Sequence, residues 1–264
     1  MLEGKVCVVT GSGGGIGRAT AIEMARQGAS GVVVSDIKDE GGAETVRLVE
    51  EAGGKARYIH CDVRNEDDVK ALMTGAAEEF GGIDVLHNNA GVHETDFTDV
   101  TAVDALENEI WDRVYEINLR GVWWCTKHAA QYLRRSGNGP AIVNASSTGG
   151  LTGYPMCPSY ASTKGAVIQL TKITAIDLAN DGVRCNCYCP AAIDTPMVQK
   201  YFDAAEDKEA IERALVGSHL VPRLGRPEEV AKLVCFLASD DAAFINGAAF
   251  TIDGGSLAWR GTNA

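Results

Sequence analysis

The stretch Lys5–Thr20, KVCVVTGSGGGIGRAT, decides the fold. Residues of strand character (5–10) run into a glycine-rich turn, and a helical pattern follows near 18–27. Glycines at such a junction let the backbone close on a pyrophosphate, and the N-terminus of the next helix favours the anion. No frame of the stretch gives Gly-x-Gly-x-x-Gly, because Ile16, Arg18 and Thr20 occupy the required last positions. What fits is Thr-Gly-x-x-x-Gly-x-Gly: Thr10, Gly11, Gly15 and Gly17, with Ile16 inside the loop. A merely flexible turn is the plainer alternative; the strand before and the helix after weigh against it.

The same alternation continues along the chain. Strand-length apolar runs fall at 5–10, 32–36, 56–61, 84–89, 141–146, 183–189 and 248–253. Between them lie helical patterns near 18–27, 41–52, 66–80, 108–135, 159–179 and 228–238. Unbroken apolar runs suit strands buried on both faces. Seven strands with helical crossovers predict one α/β domain over 1–264, a doubly wound (Rossmann-type) parallel seven-stranded sheet with helices on both faces. The segment at about 195–222 holds no strand and is charged and helical in pattern, which predicts a lid over a site at the strand ends.

Composition narrows the function. The chain has 264 residues, 45% hydrophobic and 23% charged, as in an ordinary soluble globular protein. A net charge of −12 argues against a nucleic-acid partner. No apolar run approaches the ~20 residues of a membrane helix, and the first residues lack the order of a signal peptide. The expected location is therefore cytoplasmic, with the eight Cys as reduced thiols. Cys185, Cys187 and Cys189 alternate along a strand without a second cluster at ligand spacing, so they read as buried side chains and no metal is expected.

Asp36 ends the second strand, some 20 residues past the glycines, where a carboxylate accepts from ribose hydroxyls and repels a 2′-phosphate. Ile37 follows it, leaving no Arg there, although Lys38 is near; NAD is expected in preference to NADP. Asp62 and Val63, after the third strand, suit an adenine: one takes the exocyclic amine, the other gives an apolar wall. In PSYASTKGA (158–166), Tyr160 stands four residues before Lys164, on one helix face. Alone, the pair reads more readily as a surface Tyr beside a solvated Lys than as a phenol made acidic by a fixed cation, and the rest of the chain must decide.

Together these motifs resemble the short-chain dehydrogenase/reductase family. TGSGGGIG (10–17), Asp36, Asp62-Val63, HNNAG (87–91), Asn118 in YEINLRG, IVNASS (142–147), YASTK (160–164), PAAIDTPM (190–197) and IDGG (252–255) carry the likeness, in the family's order over nearly the whole chain. The resemblance implies a tetrad of Asn118, Ser147, Tyr160 and Lys164. Tyr160 would be the general acid/base, and Lys164 would lower its pKa and hold the nicotinamide ribose. Moving a Tyr from ~10 to ~7 needs about 4 kcal/mol of preferential phenolate stabilisation. Ser147 would stabilise the substrate oxygen; Ser146 competes for that role, but Ser147 has the family's usual separation from Tyr160. Asn118 would hold a water in a relay to Lys164. Asn89 would abut the adenosine ribose, and Thr195 with the Ile193 backbone would bind the carboxamide. One departure is Ala191, where the family has Gly after Pro190; a φ below zero is expected there.

The implied enzyme interconverts a secondary alcohol and its ketone with NAD(H). Its substrate pocket is expected from His93, Gly149, Tyr154, Met156, Cys157 and Ala192 with the lid; Tyr154 and Met156 suggest a cyclic or bulky apolar substrate, or else are core residues. A 3-oxoacyl-thioester reductase using NADPH and a non-catalytic NAD(H)-sensing protein are the alternatives. The family also implies a homo-oligomer, usually a tetramer, for which Trp123 and Trp124 suit an interface, and Trp259 and Arg260 are candidates to reach a neighbouring subunit.

Overall fold

Side chains along β1 (Val6–Thr10) point alternately to two apolar layers. The structure, a computed structural model, describes residues 1–258; Trp259 and Arg260 lie outside the described residues. Cys7 and Val9 join a core with Ala21 and Met24 of α1 (Gly15–Arg26) and Val230 and Val234 of α9 (Pro227–Ala238). Val8 joins the opposite core with Leu72 and Met73 of α3 (Glu66–Phe80) and Ala129 and Leu133 of α5 (Gly121–Leu133).

The other strands are β2 (Gly31–Asp36), β3 (Ala56–His60), β4 (Val85–Asn88), β5 (Ala141–Ala145), β6 (Arg184–Pro190) and β7 (Ala249–Ile252). All pair in parallel, in the order β3-β2-β1-β4-β5-β6-β7. The doubly wound sheet read from the sequence is therefore the fold. Order reverses beside β1: the chain leaves β1 toward one edge of the sheet and β4 toward the other, and beyond the first residues of these two loops a crevice opens at the carboxyl ends of the strands. Burial on both faces holds for β1, β2, β4, β5 and the centre of β6, and fails at the edges. Ala249 and Thr251 of β7 and Arg57 and His60 of β3 are exposed, because an edge strand is covered less completely.

The helical pattern at 108–135 is not one α-helix. It divides into α4 (Asn108–Tyr115), a π-helical turn (Glu116–Arg120) and α5, and Asn118 sits in the π turn. The remaining helices are α2 (Asp39–Glu51), α6 (Pro158–Asp177), α7 (Pro196–Ala204) and α8 (Lys208–Val216). Among the described residues no helix is long and apolar enough to cross a membrane.

Gly11 has φ +63°, and a Cβ there would lie 2.6 Å from Ala90 Cα. Gly11→Ala should cost about 2 kcal/mol or more, from the left-handed backbone and the clash together. In a chain of this size that lowers the thermal midpoint by about 4 °C or more, which calorimetry reads; an unchanged midpoint would show that the loop yields freely.

Candidate active site

Six loops, one after each of β1 to β6, lie at the carboxyl ends of the strands. The first is the glycine turn. Gly14 caps α1 with no side chain to satisfy the first-turn amides, and that turn carries no acidic residue, so its N–H groups are aimed at an anion. Gly17 admits no side chain, since a Cβ would meet Gly11 O at 2.4 Å and Asn89 Nδ2 at 2.6 Å. Ile16 packs its side chain on the core. The Arg18 guanidinium, unremarked in the sequence, donates to Gly13 O, to Thr45 Oγ1 (3.0 Å) and to Gly41 O (3.3 Å), bracing the turn against α2.

Asp36 is oriented by backbone: its Oδ2 accepts from Gly13 N–H (2.8 Å) and its Oδ1 from Lys38 N–H (2.9 Å). Ile37 beside it is exposed. Asp62 is clasped by the Arg64 guanidinium, which holds its carboxyl below the usual carboxylate range. Val63 is 7% exposed, and a Cβ on Gly121 would lie 2.9 Å from its Cγ2; its side chain is spent mainly on α5 rather than offered as an open wall.

After β4, Asn89 Nδ2 donates to Thr10 O (3.0 Å) and Gly11 O (2.9 Å), tying this loop to the glycine turn. Asn118 is fully buried; its Oδ1 accepts from Val92 N–H and its Nδ2 donates to Val92 O, both at 2.9 Å. The side chain expected to hold a relay water is thus engaged on the 91–93 segment. The buried amide sits in a turn one residue wider than that of an α-helix.

The two serines after β5 part company. Ser146 Oγ donates to Lys164 O (2.8 Å) and holds α6 to the sheet. Ser147 Oγ accepts from Gly149 N–H (3.0 Å) and is hydrogen-bonded to the Tyr160 phenol. Lys164 is 4% exposed and donates to Ala145 O (2.9 Å), its Nζ 5.6 Å from the centre of the Tyr160 ring. Burial pushes the ammonium down to about 8 and the phenol up to about 12, Ser147 opposing the rise. In the protein alone desolvation outweighs the cation, which lies over the ring; the expected lowering of the phenol counted on the positive nicotinamide ring as well as on Lys164.

Around Tyr160 the expected pocket is only partly assembled. The His93 ring lies 4.8 Å from the phenol ring, centre to centre. Gly149 sits between Tyr154 and Ser147. Tyr154 bonds Thr148 Oγ1 at 3.2 Å but is half exposed. Cys157 is buried, whereas Met156 points to solvent and takes φ +61°. After β6, Ala191 is outside the left-handed region, as expected, Met156 being the non-glycine residue with positive φ among the described residues. Thr195 rests on Gly15, 3.3 Å from where a Cβ would stand, and Ile193 is 5% exposed. Ala192 lines a cavity of about 240 Å³ with Ile193, His219 and Ile252, which none of the residues around Tyr160 touches.

With this geometry in place, residues 11–256 match the family model described as enoyl-(acyl carrier protein) reductase. The chain belongs to the short-chain dehydrogenase/reductase family. As a short-chain dehydrogenase/reductase it is an oxidoreductase. It is 41% identical over 254 residues to cis-4-hydroxycyclohexanecarboxylate dehydrogenase of Sinomonas cyclohexanicum, covering 96% of this chain and 97% of that protein. It is 38% identical to a 3-oxoacyl-(acyl-carrier-protein) reductase of Thermotoga maritima, covering 96% and 98%. The crystal structure of levodione reductase superposes with a TM-score of 0.92 at 32% identity, covering 98% of this chain and 100% of that one.

Replacing each serine separates their parts. Ser147→Ala should lower turnover by about 10²-fold, the effect of losing a donor to a developing oxyanion. Ser146→Ala should leave turnover within a few-fold and cost about 1 kcal/mol, because a buried Lys164 carbonyl loses its partner. Equal kinetic losses in the two variants would contradict the assignment.

Proposed function

We propose that this chain is an NAD(H)-dependent dehydrogenase that interconverts a secondary alcohol, cyclic or bulky and apolar, with its ketone. The observation that carries the reading is the grouping of Ser147, Tyr160 and Lys164 beside the uncapped N-terminus of α1. The donor set fits a dinucleotide: free first-turn amides for the diphosphate, Asp36 for the adenosine ribose, and Thr195 with Ile193 for the carboxamide. Asp36, the neutral Ile37 and an Arg18 already occupied by Gly13, Gly41 and Thr45 support NAD over NADP. The bound cofactor would supply the hydride acceptor at its nicotinamide ring.

In alcohol oxidation Tyr160 takes the hydroxyl proton, and in ketone reduction it returns one. Ser147 Oγ accepts from Gly149 N–H, which leaves its O–H to serve the phenol in the protein alone and the substrate oxygen once substrate is bound. Lys164 keeps a positive charge beside the phenol and a donor for the nicotinamide ribose. Asn118 acts through Val92, keeping the 91–93 segment in place. Residues 196–216, α7 with α8, form the lid: Tyr201 OH meets Thr95 Oγ1 at 2.8 Å, and Lys200 pairs with Asp96. His93, Gly149, Tyr154 and Cys157 line the substrate side, with Met156 at its rim. The cyclohexane alcohol acted on by the Sinomonas relative supports a cyclic substrate. The Thermotoga relative favours a second reading, reduction of a 3-oxoacyl thioester with NADPH. Exposed Trp111 and Trp123 on α4 and α5, with Ile173 and Ile176 on α6, support a homo-oligomer. The unpaired thiols fit a reducing, cytoplasmic setting.

The deciding experiment is an assay of cyclic alcohols, steroids, polyols, sugars and 3-hydroxyacyl thioesters with NAD and NADP in parallel. An NAD-linked rate on cyclic alcohols is expected; an NADP-linked rate confined to thioesters would transfer the reading to the reductase, and NADH binding without any turnover would point to a sensor. Asp36→Ala should weaken NAD and raise the relative use of NADP by about tenfold or more, the loss of a charged hydrogen-bond acceptor; an unaltered preference refutes that role. Tyr160→Phe should abolish turnover while NADH affinity stays within a few-fold. Because the phenolate is the active form, kcat/KM for oxidation should climb with pH, and Lys164→Met, which removes the cation, should move the rising limb to higher pH. A limb that stays in place in that variant would separate Lys164 from the proton transfer.

A further inference from the structure

A carboxylate that the reaction above does not use lies against the first turn of α6. Glu94 is fully buried, at the start of a 3-10 turn (Glu94–Asp96) after β4. Its Oε1 accepts from two backbone amides, Ser159 N–H at 2.9 Å and Tyr160 N–H at 3.1 Å. Cys157, the N-cap of α6, makes no side-chain cap bond, so the cap of this helix comes from a residue more than sixty positions earlier. The second oxygen, Oε2, is buried without a hydrogen bond and lies 3.4 Å from His93 Nδ1. His93 in turn packs its ring on Tyr160, and Thr95 N–H and Oγ1 meet its Nδ1 at 3.3 and 3.1 Å.

A simple helix cap explains Oε1 and leaves Oε2 unexplained. A buried oxygen with no donor is costly, and such groups persist where a site uses them. We propose that Glu94 is a positioning residue for Tyr160: one oxygen fixes the turn that carries the phenol, and the charge on the other sets the field in which the phenol gives up its proton.

The inference rests on Tyr160 being the acid/base. The groups facing the phenol are Ser147, which favours its ionised form, and Cys157, Tyr201 and Glu94, which oppose it. Lys164 lies over its ring. His93, between Glu94 and Tyr160, is held below its usual value by burial, with Lys200 acting the same way and Glu94 and Asp96 acting against it. Burial disfavours a charge on His93, and Asp96 on that side is paired with Lys200, so the carboxylate of Glu94 is the acidic group there without a Lys or Arg partner. A negative neighbour raises the pH needed to ionise a phenol, so its removal lowers that pH.

Glu94→Gln keeps an acceptor for both amides and removes the charge. In the pH profile of kcat/KM for alcohol oxidation its rising limb should move to the acid side by about half a unit or more, with NADH affinity and thermal midpoint near wild type. Glu94→Asp keeps the charge and loses reach; its limb should stay in place while kcat falls by about tenfold. A Gln variant whose limb coincides with wild type overturns the proposal, and so does an Asp variant with unchanged kcat. If the Gln variant does not fold, the Asp variant decides alone. Tyr160→Phe is measured alongside. Turnover in that variant would sink the acid/base reading itself, whereas an inactive Phe variant with an unmoved Gln profile sinks only the part given to Glu94.

Discussion

The loops leaving β1 and β4 touch with almost nothing between them but backbone. Ala90 stands where a Cβ of Gly11 would go, and Gly11 O and Asn89 Nδ2 stand where a Cβ of Gly17 would go. That contact sets how closely the start of α1 approaches the end of β4. Everything on the catalytic side is hung from it in sequence. Asn89 bridges to Thr10 and Gly11, Asn118 takes both backbone groups of Val92, and Glu94 takes the first amides of α6. A single run of six residues thus connects the anion-facing helix to the helix that carries Tyr160 and Lys164.

Burial and charge pull against each other in this site. Tyr160 and Lys164 are both drawn toward their neutral forms by desolvation. The opposing influences are few and specific: the Ser147 hydroxyl on the phenol, and the carbonyl of Ala145, which accepts from the ammonium. A dry site makes every fixed dipole count for more. It also makes the placement of each one exacting, which accounts for two serines in succession doing unrelated work.

Most of the sheet was legible in the sequence because burial on both faces leaves no polar positions in the run, and VCVVT, GVVVSD and AIVNA show it directly. Edge strands were located too, but their half-exposed faces were not, since exposure depends on what the neighbouring layer covers. The π turn escaped because one extra residue scarcely perturbs a helical repeat read over 108–135. In the site, Ser147, Tyr160 and Lys164 come together, and Asp36 stands at the glycine turn, because their spacing is local to strand ends and one helix face. Arg18 and Glu94 were missed for the opposite reason. Most of their partners, Thr45 and Gly41 for one and Ser159 and Tyr160 for the other, are tens of residues away, and no periodicity marks an Arg as a brace or a loop Glu as buried.

The cysteines have a consequence outside the chemistry of the site. All eight are unpaired and buried, and burial holds thiols such as Cys61 and Cys185, both up to about 12, far from the reactive thiolate. Thiols held in this way resist alkylating reagents, and their labelling must wait for the structure to open. With thiols on β1, β5-facing β6, α5, α9 and the loops after β3 and before α6, the order in which they become modified would map which layer of the sheet parts first.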